Sequence, residues 1–288
     1  MERWDDLRLF LAVARTGTLS AAAKALRLSV STVQRRVIGF EEDLGSVLFQ
    51  KGPRGYQLTH AGEALLPKAQ EAEEAIFAAS RTVIGHDQRA SGEVRFTAPL
   101  ATLPLLGGHL ADFARVCPNV RPVLLADDGL LDLGRSADVA LRAVLKPVET
   151  AVGRSISPLA WCRYAGAQTS GQDVPWVQYL DMDAHPAVIW RKQKYPSPQT
   201  AMSVCGVVSM HAVLASLGAQ GLLPCFVGDP DPGLRRIGEP VASSSLWLLI
   251  HADLRRSARV RALVDFLVPR LRADRALFEG DLSARDGV

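Results

Sequence analysis

Leu7, Phe10, Leu11 and Ala14 fall at i, i+3, i+4 and i+7, the spacing that lines one side of an α-helix with apolar side chains. Asp5 or Asp6 is placed to cap its start, and Gly17 stands where a left-handed C-terminal residue is wanted. A second, short helix is predicted over residues 21–27 with Ser20 as its cap. Its inner face is Leu19, Ala22, Ala23 and Leu26, and the alanines allow a neighbouring helix to come close. A third helix starts from Ser29 as cap and stops at Gly45, with Val33, Val37, Phe40 and Leu44 repeating at four, three and four. Residues 47–49 and 56–58 read as strands joined by the basic turn 50–55. From Thr59, another good cap, a long helix is predicted to about residue 87. Leu65, Ala69, Ala72, Ile76, Ala79 and Val83 follow one another at 4, 3, 4, 3 and 4 along it, a heptad seam suited to self-association, with Pro67 set to bend the helix or fix its direction.

After residue 92 the pattern changes. Residues 94–97, 120–125 and 138–142 read as strands, alternating with a helical stretch from 99 to 116 and a short helical piece before residue 138. A second set begins at 161–165, continues with a helix at 209–217 ending on Gly218 and a strand at 246–250, and closes with an amphipathic helix at 257–271. Such alternation predicts parallel sheet, and the length suits two α/β lobes better than one. Residues 181–199, rich in proline and basic side chains, read as irregular.

Composition narrows the class. The chain is 48% hydrophobic and 22% charged, which excludes disordered and collagen-like proteins. No run of 18 uncharged apolar residues occurs, and the acidic start is unlike a secretory signal, so a cytoplasmic address is expected with no membrane partner. The net charge of +3 is too small to announce a nucleic-acid partner, but its distribution is informative. Between residues 20 and 60 the cations Lys24, Arg27, Arg35, Arg36, Lys51 and Arg54 surround one acidic turn, Glu41 to Asp43.

On helix three, Ser31, Arg35, Ile38 and Glu42 point away from the apolar stripe, with Thr32 and Gln34 on its flanks. A tight junction at Leu28 and Ser29 followed by small and hydrogen-bonding side chains is what a helix-turn-helix needs to enter the major groove of double-stranded DNA. Gln34 and Arg35 are able to make bidentate contacts to base edges. Lys24, Arg36 and Lys51 are placed for phosphates, and Arg54, at the tip of a wing-like turn, for phosphate or a minor groove. A plain three-helix unit with solvated charges is the alternative.

The segments 9–14, 17–23, 40–45, 48–49 and 58–62 together resemble the LysR-type transcriptional regulators. The likeness continues at 94–96, 117–120, 137–142, 218–224 and 259–267, nearly the whole chain. It implies an N-terminal winged helix-turn-helix (1–59), a linker and dimerisation helix (60–91), and an effector-binding domain (92–288) of two Rossmann-like lobes. Lobe I would comprise 92–160 and 252–288 and lobe II 161–251, resembling a periplasmic binding protein with a small-molecule cleft between the lobes. The family's base-reading positions correspond to Val30, Ser31, Gln34 and Arg35, with Ser20, Ser29 and Thr32 beside them. Val30 and Gln34 depart from the family's commoner glutamine and serine, so the preferred half-site is expected to differ. Dimers and tetramers on promoter DNA are implied, with RNA polymerase a further candidate partner.

No GxSxG, GxxxxGK[ST] or HExxH occurs, so no enzyme is indicated, and no cofactor or metal site is expected. The four cysteines form no CxxC pair, and only Cys162 has a basic neighbour, Arg163, for a redox-sensing alternative. An α/β binding protein or enzyme without a DNA role is the other alternative. In two-lobed α/β architecture ligands bind beyond the carboxyl ends of strands. Thr97, Pro99 and Thr102 are the candidates on one side and Ser203, Val204 and Cys205 on the other, although both threonines also suit a capping role. Asp127 and Asp128, following the second strand, are expected to disfavour an anionic effector and admit a neutral or cationic one.

Overall fold

The computed structural model describes residues 4–52, 55–129, 133–144, 151–170 and 174–281. It divides into two compact units, residues 1–80 and 81–288.

In the first unit α1 (Trp4–Thr16), α2 (Leu19–Leu26) and α3 (Val30–Leu44) precede a hairpin of β1 (Phe49–Gly52) and β2 (Gly55–Leu58). Phe10, Leu11, Ala22, Ala23, Val33, Val37 and Phe40, apolar positions that the helical spacing selects, make its core together with Val13. Two local expectations are corrected. Thr18, one residue beyond the glycine turn, caps α2 through a hydroxyl that accepts from the Ala21 N–H, and Ser20 is an exposed residue of the first turn. α1 already includes Asp5 and Asp6, and Asp6 is buried as an ion-pair partner. Ser29 and Gly45 do cap α3, the serine accepting from Thr32 N–H and the glycine adopting φ +62°.

The long helix α4 (His60–His86) starts in the first unit, and the boundary at Ser80 and Arg81 falls within it. Thr59 caps it, its hydroxyl accepting from Gly62 N–H and donating to the Val47 carbonyl. Gly62 is required here, because any Cβ would be driven into the Leu48 carbonyl oxygen.

The second unit carries one mixed sheet of eight strands in the order β4-β3-β5-β10-β6-β9-β7-β8. The strands are β3 (Gly92–Ala98), β4 (Val120–Ala126), β5 (Val139–Val144), β6 (Ala151–Gly166), β7 (Trp176–Tyr179), β8 (Thr200–Val204), β9 (Gln220–Pro224) and β10 (Leu234–His251). Pairs β3/β4, β3/β5, β7/β8 and β7/β9 are parallel, whereas β10 runs antiparallel to β5 and β6, and β6 to β9. The expectation of purely parallel sheet thus holds only within each end. The 16-residue β6 and 18-residue β10 cross from one end to the other, and a strand that returns beside its neighbour without a crossover helix must be antiparallel.

Two apolar cores flank these crossing strands. One gathers Phe96, Leu106, Phe113, Leu141, Leu159 and Leu246; the other gathers Ala160, Trp161, Tyr164, Tyr179, Met210 and Leu223. The change-over on β6 comes between Leu159 and Ala160. Helices α5 (Leu103–Val116), α7 (Gly206–Leu217) and α9 (Ala258–Ala273) cover the sheet, with the short α8 (Cys225–Gly228) and α10 (Arg275–Glu279). Residues 181–199, read as irregular, contain α6 (Pro186–Lys194), with Pro186 at its first position and His185 as its cap. Described residues around 127–138 contain no helix.

Candidate nucleic-acid interface and ligand cleft

The first turns of α3 leave Val30, Ser31, Gln34, Arg35 and Ile38 exposed on one side. Ser29, Ser31 and Thr32 form a hydroxyl cluster, with Oγ separations of 3.0 and 2.7 Å from Ser29. Gln34, Arg35, Lys24 and Lys51 are exposed and make no side-chain hydrogen bond or ion pair among the described residues.

The fold consumes other charges of this region. Arg36 donates from Nε and Nη2 to Asp6 Oδ1 at 3.1 and 2.6 Å, tying α3 to α1, so its expected phosphate role gives way to a structural one. Glu41 Oε1 accepts from the Leu48 and Phe49 N–H groups and anchors the hairpin to α3. One positive and one negative charge of α3 are thereby held within the fold, and Arg35 is left as the exposed cation among its first turns. Arg54 lies outside the described residues. Arg27, counted among the local cations but given no contact role, ends α2 in the left-handed conformation at φ 56° and is exposed beside the start of α3. Its place in the α2–α3 turn was the signal available.

Along α4 the seam divides. Ala69 is fully buried and Leu65 packs with it in the first unit's own core, so these two are not available for pairing as expected. Glu73 is buried and bonded to Arg15 of α1. Ala72 is half-buried, while Ile76, Ala79 and Val83 are exposed.

In the second unit a cavity of about 250 Å³ opens beyond the end of β3. Pro99 and Thr102 line it, as does Asp128. Thr97 does not; its buried hydroxyl accepts from Arg142 Nη2 at 2.8 Å. The Thr102 hydroxyl donates to the Pro99 carbonyl at 2.7 Å and makes no cap bond to α5, so neither threonine caps that helix through its side chain. On the opposite wall Gly206 and Val207 replace the expected Ser203, Val204 and Cys205. Ser203 and Cys205 are exposed elsewhere, and Val204 is part of the core.

Arg142 is the feature that the strand pattern concealed. It is 7% exposed, lines the cavity, and donates to Leu141 O, Thr97 Oγ1 and Gly129 O, all neutral acceptors. Burial disfavours its charged form, and the nearby Asp127 and Asp128 oppose that effect. A buried guanidinium thus stands in the wall beside the aspartates that were expected to disfavour an anionic effector. His185, also in the wall, packs at a tilt against Trp161 with ring centres 4.2 Å apart and accepts from Ala187 N–H through Nδ1. Burial lowers its pKa from 6.5 to about 4, so it is neutral at pH 7. The thiol of Cys162 is pushed up to about 11 and that of Cys225 is also raised, both by burial, which suppresses thiolate formation and oxidant sensing at these two sites.

The family description "Bacterial regulatory helix-turn-helix protein, lysR family" matches residues 4–63, the unit that presents α3. Beyond that unit, the chain is 26% identical over 303 residues to a probable HTH-type transcriptional regulator, LtrA, of Klebsiella pneumoniae, covering 93% of this chain and 96% of that protein. It is likewise 26% identical to the Mau operon transcriptional activator of Paracoccus denitrificans, over 91% of this chain and 94% of that one. Nearly the whole chain is thus similar to LysR-type transcriptional regulators, and residues 4–63 match that family's helix-turn-helix. The chain carries a bacterial regulatory helix-turn-helix, and the proteins similar to it over most of its length are transcriptional regulators. Its fold matches the full-length virulence activator AphB of Vibrio cholerae, with a TM-score of 0.58, 18% identity and coverage of 93% of this chain and 99% of that one. It also matches CrgA of Neisseria meningitidis, with a TM-score of 0.56, 21% identity and coverage of 94% and 99%. No helix among the described residues is long and apolar enough to cross a membrane.

Proposed function

We propose that this chain is a LysR-type transcriptional regulator that reads its operator through the exposed start of α3 and answers to a small molecule held in the cavity around Arg142. Val30, Ser31, Gln34 and Arg35 face the bases, with Arg27 and the hydroxyls of Ser29 and Thr32 beside them. Lys24 and Lys51 neutralise phosphates. The observation that carries the reading is the division of charge on one helix: Arg36 and Glu41 are bound within the fold, while Gln34 and Arg35 have no partner among the described residues. Two copies joined along Ile76, Ala79 and Val83 would present two recognition helices to successive major grooves of a pseudo-palindromic site. Tetramers, a cytoplasmic location beside the chromosome, and RNA polymerase as a neighbour at the promoter extend the same reading.

Selection of bound fragments from random genomic DNA tests it. The wild-type chain should return a pseudo-palindromic motif, and Arg35→Ala should relax one position in each half-site by roughly 1 to 3 kcal/mol of discrimination. The wild-type motif at wild-type stringency from that variant would overturn the assignment.

A further inference from the structure

The cavity in the second unit combines groups that one ligand class satisfies together. Arg142 has five guanidinium N–H donors, and the three bonds it makes among the described residues all go to neutral oxygens. No carboxylate lies within ion-pair distance of it among these residues, although a buried cation ordinarily has one. Trp161 is 3% exposed and lines the same cavity, and its buried indole N–H has no acceptor among the described residues.

Two carboxylates from different ends of the sheet also line the cavity, Asp128 close to Arg142 and Asp181 in the turn after β7. Asp128 accepts from Leu100 N–H at 2.9 Å through Oδ1, and its Oδ2 is 3.3 Å from where a Cβ on Gly206 would stand. Asp181 accepts from the N–H of that same Gly206 at 3.0 Å. Two acids therefore converge on one residue, and neither is in an ion pair among the described residues. Thr102 and His185 apart, the rest of the wall is mostly apolar, including Leu159, Met182, Phe226 and Leu246. At about 250 Å³ the cavity is smaller than the roughly 300 to 1,000 Å³ typical of drug-sized ligands.

We infer that the effector is a zwitterion of the amino-acid class with an apolar side chain: its carboxylate on Arg142 and the Trp161 indole N–H, its ammonium between Asp128 and Asp181. A simple carboxylic acid would leave two acids facing each other without a cation, and a simple amine would leave the guanidinium unpaired. A ligand carrying both charges satisfies each side and adds its apolar body to the aromatic wall. Held between Asp128 and Asp181, which come from opposite ends of the sheet, it would also link the two ends. This inference rests on the proposal that the cavity is the effector site.

The test is calorimetric titration and thermal shift of the full chain with the twenty proteinogenic amino acids at up to 10 mM. The best binder is then compared with its amide, which keeps only the ammonium, and its deaminated acid, which keeps only the carboxylate. The expected result is one or a few apolar amino acids that bind, with both half-ligands weaker by roughly tenfold to a hundredfold. Asp128→Asn with Asp181→Asn should weaken the amino acid by a similar factor and reduce its preference over the deaminated acid. Trp161→Phe should weaken both. No binding by any of the twenty, or a half-ligand as tight as the zwitterion, overturns the amino-acid class. A half-ligand that still depends on Arg142 and Trp161 keeps the cavity as the effector site. An amino acid that binds the wild type, Arg142→Met and the double asparagine variant equally overturns the cavity assignment itself.

Discussion

Arg35 and Arg36 are neighbours in sequence with opposite fates, because 100° of helical rotation sends one to solvent and the other toward α1. Arg36→Ala strands the buried Asp6 carboxylate and should cost roughly 1 to 3 kcal/mol in chemical denaturation, the half-exposed setting of the pair keeping the loss below that of a fully buried one. Arg35→Ala, with no internal partner, should change stability by no more than about 0.5 kcal/mol. Equal losses from both variants would mean that Arg36 is free to serve another role. His185 gives the chain a pH-dependent term of known sign. Its folded pKa, about 4, lies below its ordinary 6.5, so as pH falls the unfolded chain takes up this proton first. The stabilisation is intact above about pH 6.5 and is lost progressively toward pH 4, by an amount on the order of 2 kcal/mol. His185→Gln should flatten that acid limb in urea melts recorded between pH 4 and 7. An unchanged slope would place the acid sensitivity elsewhere.

At the scale of elements, α4 shows how one periodic pattern serves two purposes. A seam of apolar positions four and three apart says only that a face will be covered. The first of these positions, Leu65 and Ala69, are covered by the helices of their own unit, and the later ones, Ile76, Ala79 and Val83, are left exposed. Substitutions at the two ends should therefore separate. Ala69→Leu should lower the melting temperature through overpacking, whereas Ile76→Glu should leave the fold intact and weaken self-association by roughly a hundredfold, because a carboxylate in a closed seam has no partner. Sedimentation velocity at micromolar concentration reads this directly, with monomer mass expected for the glutamate variant. An unchanged dimer would assign association to the effector-domain surfaces instead.

For the whole molecule, a net charge of +3 conceals a local cationic surface on one unit. Counterion release makes the consequence measurable. In a plot of log affinity against log salt, Lys24→Ala and Lys51→Ala should each reduce the slope by about 1 and weaken all sequences alike, while Arg35→Ala should act on sequence preference. A lysine variant that alters the selected motif and leaves the slope untouched would reassign that lysine to base reading.

Helical spacing, capping residues and turn glycines are local properties, so the three-helix unit, the Ser29 cap, the Gly45 stop, the long α4 and the helix ending at Gly218 could all be read from the chain. So could the exposed face at the start of α3. What could not be read depends on partners distant in sequence. Asp6 and Arg36 are 30 residues apart, and only the packing of α1 on α3 turns a surface arginine into a structural one. The cap of α2 moved from Ser20 to Thr18 because two hydroxyls near one turn compete, and backbone geometry selects between them. The strand pattern assigned Arg142 to β5 but gave no sign that its head would be buried among carbonyls beside Asp128, since that position depends on how β3, β5 and the 127–129 turn converge. The direction of the crossing strands also lay outside the sequence: hydrophobic alternation marks a strand, whereas its partner and polarity are decided by the chain's route between two cores.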